Sequence, residues 1–429
     1  MLESWFRLRE HGSDVRTECL AGLSTFLAMA YIVFVTPDIR AAAGMPRDAV
    51  FVATCLAAAF GSLLMGLYAN YPIAMAPGMG LNAYFAFSVV GGLGYSWQAA
   101  LGAVFLSGLL IVAFSLLRIR EWIVDAIPHS LKLAISAGIG LFLAIIGLKN
   151  AGLVVGDPAT LVRLGDLRAP GTLLAVAGLM LIVGLEARRV AGGIVIGVLA
   201  ITAAAIALGV SPFRGVFASP PAITPVLLQL DVGAALEAGL VAVVLTFFLV
   251  ELFDATGTLI GVSHRADLLD ARGRLPRLKR ALLADSTAIA AGSLLGTSST
   301  TAYIESAAGT AVGGRTGLTA VVVGLLFLAA LFIAPLAGSV PAFATAPALI
   351  YVAVLMSRAL AEIVWDDLSE AAPAFLCAVT MPLTFSIAHG IAIGFISHAA
   401  IKLIAGRARE VPVAVWVLAA VFVGKFGWL

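Results

Sequence analysis

Long apolar runs recur from one end of this chain to the other, and most reach the length that crosses a bilayer, about 20 residues as a helix. They fall near 17–36, 48–69, 72–90, 97–117, 130–148, 170–187, 190–209, 234–260, 281–296, 300–313, 316–336, 344–361, 370–405 and 411–428, about fourteen in all. No water-soluble fold can hide so much apolar surface. Hydrophobic residues make up 61% of the 429 and charged residues 12%, against roughly a quarter charged in a soluble domain. The chain therefore reads as an all-α polytopic membrane protein. The piece 300–313 is short for a span, and 370–405 is long for one, with Pro382 and Gly390 as its expected breaks.

Charge sets the expected orientation. With the N-terminus in the cytoplasm, 17 of the 26 Lys and Arg residues fall on the cytoplasmic side, led by Arg265, Arg272, Arg274, Arg277, Lys279 and Arg280. Both termini are then cytoplasmic by the positive-inside rule. The near balance of 26 basic and 24 acidic residues gives no footprint for nucleic acid. Cys19, Cys55 and Cys377 lie in or beside apolar runs, without metal-ligand spacing. The mixed-charge leader before the first run reads as cytoplasmic rather than as a cleavable signal.

The two halves share a plan. Gly61-Ser62-Leu63-Leu64 returns as Gly292-Ser293-Leu294-Leu295, an offset of 231, and at that offset Ile73 meets Ile304, Ala76 meets Ala307 and Gly78 meets Gly309. Each copy belongs to the third span of its half, and the Pro-rich stretch from Ser211 to Asp231 separates the halves. Seven spans per half is an odd number, so the halves insert in opposite senses as a 7+7 inverted repeat. Both third spans are interrupted. Tyr71 to Asn82 holds Pro72, Pro77, Gly78 and Gly80, which break a helix; Gly296 to Ser306 is rich in Ser and Thr, which suit a short extended stretch. Two extended stretches in spans 3 and 10, crossing face to face, would satisfy part of each other's backbone and aim two half-helix N-termini at one point. Paired broken segments in inverted repeats mark a transporter with its site near the midplane.

Four acids lie inside apolar runs: Glu251, Asp254, Asp285 and Glu305. An acid at that depth is costly unless paired, hydrated or protonated, which makes it a functional candidate. Glu251 and Asp254 are three apart and share a helix face that continues to Thr258. Glu305 stands at the mouth of the second half-helix, Asn82 at that of the first. Asp254 has a second reading as a cap or brace for the neighbouring extended stretch, Asp285 as a hydrogen-bonding neighbour behind the site, Glu251 and Glu305 as buried packing carboxylates, and Asn82 as a helix cap. All four acids are candidate proton carriers, because desolvation favours the protonated form. No Walker loop, HExxH or GxSxG motif occurs, so ATP hydrolysis and intramembrane hydrolysis lack their residues. Carboxylates, an amide and two helix N-termini suit a small, neutral, polar solute. An oxopurine fits, offering N–H donors to an acid and a carbonyl to backbone N–H groups.

At these residues the sequence resembles the AzgA-like purine permeases of the nucleobase–cation symporters (the xanthine/uracil permease family). The matching stretches are Thr17-Glu18 with Ala21-Gly22, Ala69 to Ala74, Ala76 to Phe85, Leu252-Phe253-Asp254, Thr256 to Gly261, Gly296-Thr297-Ser298, Glu305 to Gly309, Gly313 to Ala320 and Met381 to Ala388. The likeness runs nearly end to end. It implies proton-coupled import of hypoxanthine, guanine or adenine across the cytoplasmic membrane, no cofactor beyond the coupling proton, no enzymatic step, and often a homodimer. It implies a core domain from 1–118 and 234–338 working against a gate domain from 119–210 and 339–429, with 211–233 as linker. Family binding residues carry over to Asn82, Glu251, Asp254 and Glu305, with Ala83, Tyr303 and Ile304 beside them. The family often has Asp where Glu251 stands, which leaves the preferred purine open. The rival readings are a uracil, xanthine or anion transporter of the same fold, and a passive channel.

Overall fold

The computed structural model describes residues 2–116, 127–266, 268–269 and 275–428. Of the basic residues that set the expected orientation, Arg118, Arg120, Arg272, Arg274 and the side chains of Arg265 and Lys425 lie outside the described residues. A short α1 (Leu2–Phe6) precedes α2 (Val15–Met29) and α3 (Ile32–Ala41), which together make one broken span. Then come α4 (Arg47–Leu64) with a π-helical turn Met65–Ala69, β1 (Met75–Pro77), α5 (Met79–Ala83) with a π-helical continuation Tyr84–Val90, and α6 (Trp97–Leu116). The chain continues through α7 (His129–Asn150), a hairpin of β2 (Val154–Asp157) and β3 (Leu161–Leu164), α8 (Pro170–Ala187) and α9 (Gly193–Ala207). The second half holds α10 (Val232–Ala235), α11 (Ala238–Arg265), α12 (Leu278–Leu295), β4 (Thr300–Ala302), α13 (Ser306–Val312), α14 (Gly317–Ala330) and α15 (Ala334–Ser339). It ends with α16 (Ala342–Ser357), α17 (Leu368–Leu383), α18 (Ile387–Ile404) and α19 (Val413–Trp428).

Among the described residues nine helices are long and apolar enough to cross a membrane, and four shorter apolar helices accompany them. Their outward faces are apolar as well. On α8, Leu173, Met180, Leu181 and Val183 are exposed, a pattern that water penalises and lipid tails accept. The helices pack in two sets. One gathers α2, α4, α6, α11, α12, α13 and α14; the other gathers α7, α8, α9, α16, α17 and α18. The Pro-rich stretch between halves is pinned rather than loose: Leu228 N–H donates to Leu294 O at 2.8 Å, and Asp231 N–H to Gln98 O at 2.9 Å.

Two sequence expectations change here. The long run 370–405 breaks once, after Pro382: α17 ends at Leu383, Phe385 takes a left-handed φ of 50°, and the Ser386 side chain caps α18 by accepting from His389 N at 3.3 Å. Gly390 does not break the helix. It lets α18 close on α17, where a β-carbon would collide with Met381 and the Cys377 carbonyl. The second change concerns the repeat. The paired Gly-Ser-Leu-Leu segments end α12 and lead α4 into its π-helical turn, but ten residues separate Leu64 from β1 and only four separate Leu295 from β4. After Leu64 the helix runs on through its π-helical turn; after Leu295 it stops on Gly296 at φ 92°, with Thr297 N–H closing back on Gly292 O at 2.9 Å, a Gly-terminated helix end. The strand centres Ala76 and Thr301 therefore stand opposite each other at an offset of 225, and the matches of Ile73, Ala76 and Gly78 at 231 have no structural counterpart.

Candidate functional site

The two interrupted spans meet as the sequence suggests. β1 and β4 pair antiparallel, with Met75 opposite Ala302, Ala76 opposite Thr301 and Pro77 opposite Thr300, all buried. Gly78 N–H donates to Ser299 O at 2.9 Å and Tyr303 N–H to Ala74 O at 3.0 Å. Backbone groups that this short ladder leaves over find side chains. Ser62 Oγ accepts from Met75 N at 2.9 Å and donates to Met75 O at 3.1 Å, while Ser306 Oγ accepts from Ala74 N at 3.0 Å. Asp285 Oδ1 accepts from Thr301 Oγ1 at 2.9 Å and from Ala302 N at 3.2 Å. Each such group left unpaired in lipid costs several kcal/mol, so these bonds make the crossing possible. They give Asp285 the role of a brace on the second strand.

Asn82 has its amide engaged inside the protein. Its Oδ1 accepts from Arg40 Nε at 3.1 Å and Ser298 Oγ at 2.5 Å; its Nδ2 donates to Thr36 Oγ1 at 3.3 Å and Pro77 O at 3.4 Å. It joins the first span, the first half-helix and the second extended stretch. The helix starts instead at Gly78, which has extended backbone angles. Ala83 is fully buried within the same short helix. Arg40 is the residue that sequence reasoning missed. It is fully buried, its guanidinium lies 3.5 Å over the Phe85 ring, and its Nη2 has no hydrogen-bond partner among the described residues. In the sequence it resembles an ordinary basic residue at the end of a span. Apolar Ile39 before it and Ala41-Ala42-Ala43 after it were the available signal.

The second arm carries the acids. Tyr303 is buried and donates from its hydroxyl to Pro77 O at 2.5 Å, tying one arm to the other. Ile304 is 44% exposed at the start of the second half-helix. Glu305 follows, half-buried, with Oε1 accepting from Tyr31 OH at 2.8 Å. Tyr31 sits where the first span breaks between α2 and α3. Asp254 is half-buried on α11 and reaches the first arm, since a β-carbon on Gly78 would stand 3.8 Å from its Oδ2. Glu251, one turn earlier, is fully buried and accepts from Ser107 of α6. The shared helix face thus divides, with Asp254 at the crossing and Glu251 packed toward α6.

Across from this crossing stands the other helix set. Gly80 of the first half-helix closes on Ile139 of α7, where any β-carbon would collide. Tyr351 of α16 donates to Glu186 Oε2 of α8 at 3.3 Å. Glu18 explains two distinctive stretches by packing: its carboxylate accepts from Arg315 N at 3.0 Å, Thr316 N at 3.1 Å and Thr319 N at 3.2 Å, pinning α2 to the start of α14. A separate cavity of about 500 Å³ lies at the ends of α7, α17 and α18, lined by Ser130, Glu370, His398 and Lys402 among others. There Lys402 Nζ sits 2.8 Å from Glu370 and 3.1 Å from Glu410. At the neighbouring α17 N-terminus, hydrogen bonds from Ser369 and Arg407 hold the Asp367 carboxyl well below the usual carboxylate range.

Comparison with known proteins identifies the family. The xanthine/uracil permease model, described as a permease family, matches residues 16–393. The chain is 49% identical to the adenine permease AdeP of Escherichia coli (strain K12), covering 99% of this chain and 96% of that one. It is 46% identical to the guanine/hypoxanthine permease PbuO of Bacillus subtilis (strain 168), covering 97% of this chain and 98% of that one. Among solved structures, the transmembrane domain of the cyanobacterial bicarbonate transporter BicA superposes with a TM-score of 0.68 at 17% identity, covering 87% of this chain and 96% of that one. That neighbour shares the fold, while the end-to-end sequence matches carry the kinship. The chain belongs to the xanthine/uracil permease family of multi-pass membrane transporters.

Proposed function

We propose that this protein imports purine nucleobases by proton symport across the cytoplasmic membrane, with both termini in the cytoplasm. The observation that carries the reading is the crossing itself: two half-helices open beside Asp254 and Glu305, and Tyr303 ties the two arms. Close relatives named as adenine and guanine/hypoxanthine permeases support the substrate class. A purine places ring N–H groups against a carboxylate and a ring acceptor against half-helix N–H groups. Asp254 and Glu305 are the acids to make that contact, with Ile304 and Ala83 beside them. Glu251, Asp285 and Asn82 act through what they hold.

Fourteen spans in a 7+7 inverted repeat, with α2 to α6 and α11 to α15 as the core and α7 to α9 and α16 to α19 as the gate, are in keeping with the packing sets, α19 lying on α18. Rocking or sliding of one set against the other exposes the crossing to alternate sides. A proton on an acid of the crossing removes a charge that would otherwise travel unpaired through a low-dielectric region. A homodimer is compatible with this plan. One observation favours a second reading, transport of an anion: buried Arg40 places a cation next to the first half-helix. Its Nε is spent on Asn82, and the acids occupy the other arm, which weighs for the neutral heterocycle.

The test is uptake by purified protein in liposomes with an imposed pH gradient. The proposal expects accumulation of labelled hypoxanthine, guanine or adenine, competed by unlabelled purines and abolished by a proton uncoupler. Flux indifferent to the uncoupler indicates a passive channel, and competition by bicarbonate or uracil but not by purines indicates the rival substrates. Either result overturns the proposal.

A further inference from the structure

The chain passes between the two helix sets three times, after α6, after α9 and after α15, which lies on α3 and α4. The last passage has almost no slack. α15 ends at Ser339 and α16 begins at Ala342, so Val340 and Pro341 alone lie between them. Val340 is extended at ψ 117°, the conformation a following proline favours. The passage after α9 is fastened to the same point: Ser211 Oγ donates to Ser339 O at 3.1 Å, and Arg214 N–H to Ser339 Oγ at 2.9 Å. One side chain of the first set grips this point. Arg47, the first residue of α4, donates from Nη2 to Val340 O at 2.8 Å and lies 3.3 Å from Ala337 O, while its Nη1 lies 3.4 Å from Gly338 O. These carbonyls are left over at a helix C-terminus, where a cation is favoured. The same Nη2 stands 2.6 Å from Asp38 Oδ1 of α3. Asp38 Oδ2 in turn lies 3.3 Å from Thr345 Oγ1 of α16, whose hydroxyl also reaches Ala342 O at 2.9 Å. Asp38 therefore touches both sets. It sits between Thr36 and Arg40, the two α3 residues that hold Asn82. Those two are four apart and share a face, and Asp38, two residues from each, is on the other side of the helix.

We propose that Arg47 and Asp38 form the pivot on which the two helix sets turn, and that α3 carries the motion from this pivot to Asn82 and the first arm. The inference rests on the alternating-access part of the proposed transport cycle. Two rigid sets joined by several chain passages move least where the passage is shortest, and hinges fall on a few element-terminal residues. Here those residues are Val340 and Pro341. Arginine suits the task because its planar fork presents several donors in a fixed geometry, whereas lysine offers a compact point charge. With the link held against α3 and α4, a swing of α16 turns about Val340 and Pro341 instead of dragging α15 along. The bond from Asp38 to Thr345 passes that swing to α3, and Thr36 and Arg40 pass it to Asn82. Arg47 and Asp38 touch no solute in this scheme. They are positioning residues, acting through the link and through Asn82.

The test follows three quantities on the purified full chain: equilibrium binding of labelled hypoxanthine, purine counterflow exchange in liposomes, and melting temperature. It compares the wild type with Arg47→Lys, Asp38→Asn, the double variant and Thr345→Val. Arg47→Lys keeps the charge and loses the fork. It and Asp38→Asn are each expected to slow exchange roughly tenfold or more, while binding stays within about threefold and melting within a few degrees. The two residues act as one unit, so the double variant should exchange no more than about twofold more slowly than the worse single variant. Thr345→Val removes a hydroxyl that Asp38 shares with Ala342 O and should slow exchange by about threefold. Wild-type exchange in well-folded Arg47→Lys and Asp38→Asn would overturn the pivot. Binding, exchange and melting temperature falling together would make the pair a packing element and overturn it as well. Should those variants fail to fold, wild-type exchange in Thr345→Val would have the same force. A wild-type protein that binds purine but shows no counterflow exchange would overturn alternating access, and the pivot with it.

Discussion

The two arms of the crossing have similar backbones and opposite charge. The first, β1 with α5, is shaped by Pro72, Pro77 and Gly78 and closed by an amide and a cation, Asn82 and Arg40. The second, β4 with α13, is shaped by Ser and Thr and carries acids: Asp285 braces it, and Glu305 stands at its half-helix. Local chain rules explain the shared shape, because Pro and β-branched residues both disfavour a helix at that depth. They do not explain the charges. The antiparallel pairing of two short strands makes the arms alike in backbone, and their unlike side chains set them apart. The acids lie with the second arm, and the proline-shaped backbone with the first.

This contrast can be broken from either side. After that of Glu305, the largest effect is expected at Asp254, which reaches the first arm from α11. Asp254→Asn removes an acceptor without changing shape and should lower purine uptake by roughly 100-fold, on the scale of losing a hydrogen bond to a charged group. Uptake within twofold of the wild type would remove Asp254 from the site. Next comes Arg40→Leu. It strips one of the two donors from Asn82 Oδ1, and the variant should lose about 1–3 kcal/mol of stability, seen in detergent melts, with a smaller change in substrate preference. A sharp switch in preference with unchanged melting would instead make Arg40 a ligand contact. The smallest effect is expected for Glu251→Gln. Its carboxylate accepts a hydrogen bond from Ser107 of α6, away from the crossing, so uptake should fall only a few-fold and the ranking of competing purines should hold. Loss comparable to Asp254→Asn would put Glu251 back beside the solute.

Much of this was legible in the residues. The multi-pass helical character, the paired interruptions and the four acids inside apolar runs follow from run lengths, Pro and Gly placement and the cost of burying charge. What was not legible depends on rotation and partners. Spacing put Glu251 and Asp254 on one face, but α6 and the first arm divide that face between them, and no periodicity shows which neighbour claims which acid. Asn82 looked available because its partners, Thr36, Arg40 and Ser298, are far away in sequence. Tyr31 belongs to an ordinary apolar run, and its bond to Glu305 spans 274 residues of sequence. The repeat register failed past Leu64 because a π-helical turn lengthens one copy and a left-handed glycine ends the other.

The central claim is that the carboxylate of the second arm grips the purine. Its direct test is equilibrium binding of labelled hypoxanthine to purified protein, comparing the wild type with Glu305→Gln and following thermal unfolding of both. The account predicts that the variant binds at least roughly tenfold more weakly and abolishes uptake, while its melting temperature stays within a few degrees. Wild-type affinity in a well-folded Glu305→Gln protein would contradict it.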